Sequence, residues 1–159
     1  MTKGLTHLNA KGEAHIVDIA DKAVTRRKAV AQARLNGEAA TIATIMGGTL
    51  KKGDALAVAR VAGIMAAKKT ADVIPLCHPI PLTKVTVEIE SDSETSILVL
   101  VTAETTGQTG VEMEALVAAS TTALTLYDMA KAIDRAMIIS DLCLVQKSGG
   151  KSGDFQRAP

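Results

Sequence analysis

The stretch Gly110 to Asp134, GVEMEALVAASTTALTLYDMAKAID, is a long apolar run whose only charges, Glu112, Glu114, Asp128, Lys131 and Asp134, stand near its two ends. It reads as one long helix. At ~100° and ~1.5 Å per residue, Glu114 and Asp128 fall within about 40° of each other around the axis but about 21 Å apart along it. Lys131 follows Asp128 at i+3, so those two side chains are neighbours. One small reacting centre cannot touch both ends. A ligand served by both is long, or a second copy of the chain supplies one end. Glu112 and Glu114 also suit a first helical turn, where carboxylates complement the helix dipole, and Asp128 with Lys131 reads equally as a surface ion pair.

Working outward, the segment ahead of this helix carries two strands. LTKVTVEIE sets Val85, Val87 and Ile89 against Lys84, Thr86, Glu88 and Glu90, and SILVLVTAE runs from Ser96 to Glu104, with SDSET between them as a hairpin turn. AMIISDLCLVQK, Ala136 to Lys147, gives a last strand beyond the helix. Upstream, KKGDALAVARVAGIMAAKKT predicts a second long helix capped by Asp54, with Lys68 and Lys69 in its last turn, where cations suit the dipole. Apolar nearly all round, that helix is expected to be buried, and its one inner charge, Arg60, must then find a carboxylate, a phosphate or solvent. Glu38 to Met46 reads as a short helix stopped by Gly47 and Gly48. Val24 to Leu35 alternates with a period of two although its alanines favour helix. His15 to Ala20 reads as a short strand.

Taken from Val24, with that stretch as a strand, the order is strand, helix, strand, strand, helix, strand. This is the split βαβ arrangement of an α+β, ferredoxin-like domain, an antiparallel sheet with two long helices on one face. The other face needs covering by the N-terminal segment or another subunit. We expect a flexible arm over residues 1–14, one catalytic domain over 15–147, and a glycine-rich tail over 148–159.

Composition narrows the function. The chain has one Tyr, one Phe and no Trp, which removes the stacking platforms of single-stranded nucleic-acid binding, and a net charge of +1 supplies no overall basic field. Nucleic acid is a poor partner. Cys77 and Cys143 have no CxxC spacing, against a disulfide framework or structural zinc and in favour of a reducing, cytoplasmic setting. No apolar run reaches the ~18 residues of a membrane span, and the polar start does not read as a secretory signal.

Two segments invite chemistry. In ADVIPLCHPIPL, Pro75, Pro79 and Pro81 make the backbone extended and stiff, so the adjacent Cys77 and His78 point to opposite sides, which weakens a Cys-His nucleophile pair. A zinc enzyme built on the same two residues lacks further grouped ligands. At the C-terminus, Gly150, Lys151 and Ser152 spell the end of a phosphate-loop motif, but Val145 stands where its first glycine belongs and no helix can follow. What remains is a flexible, glycine-rich exit carrying Lys147 and Lys151, suited either to an anion or to solvent.

With these pieces placed, the chain resembles the molybdenum cofactor biosynthesis protein C family of cyclic pyranopterin monophosphate synthases. The carrying motifs are LTHLNAKGEAHIVDI, KGDALAVARVAGIMAAKKT, IPLCHP, TGVEMEAL, ALTLYDMAKAID and KSGGKSGDF, spread in order over nearly the whole chain. The family often has a histidine before the lysine of KGD; here it is Lys51, with Lys52 intact. The resemblance implies a lyase that rearranges the cyclic-dihydroguanosine triphosphate made from GTP into a pyranopterin with a cyclic phosphate, releasing pyrophosphate. It also implies a homohexamer of three dimers with pockets at the dimer interface. By the same resemblance, Leu76, Cys77, His78, Met113 and Glu114 contact substrate, beside Glu112, and Asp128 is catalytic, with Lys52 and Lys131 as partners. Ring opening needs protons moved at nitrogen and carbon, for which an Asp beside a Lys offers a base and an acid. Lys131, near another cation, is expected to have a lowered pKa. Cyclic-phosphate closure needs positive charge over the triphosphate, from Lys52, Lys147, Lys151 and Arg60. No cofactor or metal is required, though magnesium can accompany the triphosphate. The rival is a non-catalytic module of the same fold that binds a nucleotide or pterin.

Overall fold

The computed structural model describes residues 7–9 and 11–158; residues 1–6 and 10 of the expected arm, and Pro159 of the tail, lie outside the described residues. Strand β1 covers Thr25–Asn36, so the period of two prevails over alanine's helical preference. The cause is tertiary, because β1 is paired on both sides and buries Ala29, Ala31, Ala33 and Leu35 on one face. Helix α1 (Ala39–Met46) and helix α2 (Ala55–Lys68) follow; α1 is closed by Gly47, and α2 is opened by Asp54, whose carboxylate accepts the Ala57 N–H at 3.0 Å.

The next segment departs from expectation. Thr70–Val73 forms a single helical turn, α3, and Ile74 leaves it with φ −109 and ψ 103. Ile74–Cys77 then closes a turn, the Cys77 N–H donating to the Ile74 carbonyl at 3.1 Å, so the expected extended backbone is broken there. Cys77 and His78 consequently line one cavity and do not face opposite sides. Pro75 constrains the residue before it and nothing further upstream, which is why the helix survives to Val73. Strands β2 (Lys84–Ser93) and β3 (Ser96–Gly107) form the hairpin, each longer than its apolar pattern. Helix α4 spans Glu112–Ala130, not the whole run to Asp134; Asp134 instead folds back, buried, to accept the Glu38 and Ala136 N–H groups at 3.0 and 2.9 Å. Strand β4 (Ile138–Ser148) and a two-residue strand β5 (Phe155–Gln156) complete the sheet. The glycine-rich tail therefore returns to pair with β4. His15 to Ala20 forms no strand.

All neighbours in the sheet are antiparallel, in the order β2-β3-β1-β4-β5. With β3 between them, β1 and β2 run parallel without touching, which is the split βαβ unit, and α2 and α4 pack together on one side of the sheet. Their contact is made by small residues: Ala59, Gly63 and Ala67 of α2, and Ala115, Ala118, Ala119 and Thr122 of α4. A Cβ on Gly63 would collide with the Thr122 hydroxyl and lie 3.2 Å from the Ala118 carbonyl.

Helix α2 is not buried all round. Val58, Val61 and Met65 are 46%, 56% and 57% exposed, a stripe at i, i+3 and i+7 on the side away from the core. Arg60 needs no carboxylate, because it lies at the surface and its Nε donates to the Val87 carbonyl at 3.2 Å. The open sheet face is polar and largely self-balancing, with Arg26–Glu104 at 2.6 Å and Arg34–Asp92 at 2.8 Å. Among the described residues no helix is long and apolar enough to cross a membrane.

Candidate active site

Two adjoining cavities lie where the start of α4, the Leu76–Ile80 segment and the end of β4 converge. The first, 270 Å³, is walled by Leu76, Cys77 and His78, by Met113 and Glu114, and by Val17, Ile19 and Lys22 from the N-terminal segment. The second, 860 Å³, is walled by Arg27, Lys147, Lys151 and Ser152, with Asp21 and Gln108. Lys22, Thr109, Gly110 and Glu112 line both, so the two are parts of one cleft.

The smaller cavity holds a carboxyl of unusual character. Glu114 is 3% exposed, and burial pushes its pKa up to about 7, with the Glu112 charge adding to the rise and a backbone hydrogen bond opposing it. It is therefore poised to hold or release a proton near neutrality. Burial, and then the Glu114 charge, also raise the Cys77 thiol, which keeps it protonated and unsuited to nucleophilic attack. His78 Nε2 sits 2.8 Å from the Val17 carbonyl. A carbonyl only accepts, so Nε2 carries a proton.

The larger cavity concentrates cations. Lys147 Nζ is 3.1 Å from Glu112 Oε1 and donates to Ser152 Oγ at 2.7 Å, while Lys22 and Lys151 make no ion pair among the described residues. Arg27 is aimed by its Nε, which donates to the Gly107 carbonyl at 3.0 Å. Gly149 and Gly150, with φ +87 and +84, pass over β1 so closely that a Cβ would strike the Arg26 carbonyl or the Arg27 guanidinium. Four cations against Asp21 and Glu112 make this a polyanion-binding wall.

The remaining expected residues form a separate group at the far end of α4. Lys131 Nζ is 2.6 Å from Asp128 Oδ1; Lys52 Nζ is 3.6 Å from Asp128 Oδ2 and donates to the Asp128 carbonyl at 2.9 Å. Hydrogen bonding and charge from Lys131, then the charge of Lys52, hold Asp128 below the usual carboxylate range. Lys131 is raised, not lowered, because Asp128 outweighs the distant cation Arg135. Asp128 is 57% exposed, and neither cavity includes it. Within one chain the cleft and the Asp128 group thus stand about 21 Å apart along α4. Arg60, on the β2 side of α2, joins neither group.

Sequence reasoning missed Lys22, Arg27, Gln108 and Thr109. For Lys22 and Arg27 the available signal was the cation run Lys22, Arg26, Arg27, Lys28 at the entry to β1, whose last three members read only as strand alternation; Gln108 and Thr109 carry no such signal.

A ferredoxin-like α+β fold with an acid-floored cavity opening into a cationic one has the charge pattern of a small-molecule site suited to an anion. The MoaC family model matches residues 16–150, and the chain belongs to that family. Relatives named cyclic pyranopterin monophosphate synthase align over almost their whole length. That of Dinoroseobacter shibae is 56% identical over 96% of this chain and 98% of its own, and that of Herpetosiphon aurantiacus is 58% identical over 96% and 93%. That of Brevibacillus brevis is 52% identical over 99% and 98%.

Proposed function

We propose that this chain is a cyclic pyranopterin monophosphate synthase, a lyase of molybdenum cofactor biosynthesis. It converts (8S)-3',8-cyclo-7,8-dihydroguanosine 5'-triphosphate to cyclic pyranopterin monophosphate and pyrophosphate, in the cytoplasm. The observation that carries the reading is the joined pair of cavities, one with a near-neutral buried carboxyl and one with four cations. The purine-derived ring occupies the smaller cavity against Leu76, Cys77, Met113 and Glu114, and the triphosphate lies along Lys22, Arg27, Lys147 and Lys151. Positive charge there neutralises the departing pyrophosphate as a ring hydroxyl attacks phosphorus. Glu114, titrating near neutrality, exchanges a proton with the ring. Magnesium entering with the triphosphate would meet Asp21 and Glu112 as hard oxygen donors.

The Asp128, Lys131 and Lys52 group completes the site from a second copy of the chain. Leu124, 57% exposed, lies one helical turn before Asp128 on the same face, and the exposed α2 stripe lies on the packed neighbouring helix. Two copies packed through these apolar faces with α4 antiparallel would set Asp128 of each beside the cleft of the other, and would bury surface otherwise left in water. Three such dimers form the homohexamer. Asp128, held ionised, is the base, and Lys131 is the acid and charge partner. Incubation with the cyclic triphosphate tests the reading: the wild-type protein releases pyrophosphate and forms the pterin, whereas a non-catalytic binding module returns the ligand unchanged. Asp128→Asn should keep ligand affinity and lose turnover.

A further inference from the structure

Residues 16–23 form neither helix nor strand, yet they wall both cavities, through Val17, Ile19 and Lys22 on one side and Asp21, Lys22 and Ala23 on the other. Among the described residues, only three hydrogen bonds join this segment to the rest of the chain. His78 Nε2 meets the Val17 carbonyl at 2.8 Å, and the Gln108 carboxamide donates to the Ala20 and Lys22 carbonyls at 2.8 and 3.1 Å. Its inner turn is closed by two short-range bonds, the Ala20 N–H on Asp18 Oδ1 at 2.9 Å and the Lys22 N–H on the Ile19 carbonyl at 3.0 Å, and is held against the cleft by Gln108. The segment is thus a strap tied at two points, one over each cavity.

We propose that Gln108 is a positioning residue: with His78 it ties the strap of residues 16–23 across the cleft and so sets Lys22 at the junction between the ring cavity and the phosphate cavity. A carboxamide suits this task, because its one nitrogen offers two N–H donors to two carbonyls that a single turn brings together. Lys22 itself is exposed, on a long flexible stem and with no ion pair of its own, so the direction of its ammonium depends on where its backbone is held. The strap touches both cavities, so occupation of one cavity steadies the wall of the other. This rests on the functional reading above for the identity of the phosphate ligand, but not for the tie itself.

Gln108→Glu tests the tie, since it keeps the size but sets carboxylate oxygens against two carbonyls; Gln108→Ala, which only deletes the donors, guards against misfolding of the first variant. In the ligand-free protein the Gln108 bonds hold the carbonyls of the turn, so their loss is read as turn opening. Hydrogen exchange at the Ala20 and Lys22 amides, bonded to Asp18 Oδ1 and the Ile19 carbonyl, should quicken by about tenfold once the turn is released, while α4 amides keep their protection. Affinity for inorganic tripolyphosphate should fall by about tenfold, and the loss should not add to that of Lys22→Ala. Unchanged exchange, unchanged tripolyphosphate affinity, or full additivity with Lys22→Ala overturns the proposal. If wild-type protein holds tripolyphosphate but never releases pyrophosphate from the cyclic substrate, the lyase reading fails while the tie stands. If the wild type is an active lyase and both Gln108 variants match it in exchange and affinity, the tie fails while the lyase reading stands.

Discussion

Glu114→Gln and Asp128→Asn should each be inactive alone and active together. The two carboxyls are fourteen residues apart on one straight helix, about 21 Å at ~1.5 Å per residue, whereas a proton moves across a contact of about 3 Å. No rotamer of either side chain closes that distance, so a site using both draws them from different chains. Each substitution keeps volume and removes an acid or base, which should cost about 10²–10⁴ in turnover. In a dimer carrying one copy of each variant, one site inherits both losses and the other inherits both intact groups. Random assortment makes about half of the dimers mixed, so the mixture should recover about one quarter of wild-type activity. The assay is pyrophosphate release from the cyclic triphosphate by co-expressed subunits, with the separately purified variants as baselines. A mixture no more active than the sum of its parts would refute the shared-site argument. Activity near wild type in either variant alone would refute the role given to that residue.

Gly63→Ala should lower the melting temperature, because its methyl meets the Thr122 hydroxyl and the Ala118 carbonyl. An overpacking cost of ~1–3 kcal/mol exceeds the helix-propensity gain of up to ~1 kcal/mol. Glu114 titrates at about 7 in the folded chain against an ordinary 4.5, so the folded state keeps a proton that the unfolded chain has lost between those values. Stability should accordingly fall as pH rises through that window, by on the order of 2–3 kcal/mol, and Glu114→Gln should flatten the slope in urea titrations. Asp128 is lowered and Lys131 raised, so neither should contribute a limb to the pH–rate profile between about pH 6 and 8. Any limb found there should vanish from the residual activity of Glu114→Gln and persist in the residual activity of Lys131→Arg. Lys147→Ala should weaken tripolyphosphate binding by roughly tenfold, an effect that shrinks as salt rises, as calorimetry at two ionic strengths would show.

What the sequence revealed were features carried by neighbours in the chain. The Asp54 cap, the stop at Gly47 and the hairpin alternation of β2 all follow from contacts within a few residues, and the order of the elements is enough to dictate the split βαβ topology. The end of α4 at Ala130 and the strand state of β1 are instead set by distant partners, Glu38 for Asp134 and β3 and β4 for β1. The strap was illegible for the same reason. Its ties come from His78 and Gln108, which lie 61 residues beyond Val17 and 86–88 beyond Lys22 and Ala20, and a carbonyl held by a distant side chain leaves no periodicity to read. The stripe Val58, Val61, Met65 misled differently: hydropathy says that a surface prefers cover but not that the cover comes from the same chain. For Lys131 the sequence shows both a neighbouring carboxylate and a cation but not their distances, and the 2.6 Å contact with Asp128 decides the sign.

The charges of the site are arranged so that substrate binding exchanges partners instead of creating them. In the free chain Lys147 rests on Glu112 and Ser152, and Lys52 and Lys131 rest on Asp128, while Lys22 and Lys151 have no ion pair among the described residues. A triphosphate arriving at the larger cavity first meets the unpaired lysines and then competes with Glu112 for Lys147. Exposed pairs of this kind are worth little individually, so the exchange costs little, and a phosphate oxygen offers more charge than the carboxylate it displaces. Glu112 lines both cavities and its charge bears on Glu114, so releasing it from Lys147 leaves more negative charge beside the buried acid and raises its pKa further. Polyanion binding at one end of the cleft thereby favours the protonated, proton-donating form of Glu114 at the other, and tripolyphosphate alone should shift the Glu114 titration upward. An unchanged or lowered titration on binding would show that no negative charge is released beside Glu114, and would remove the coupling.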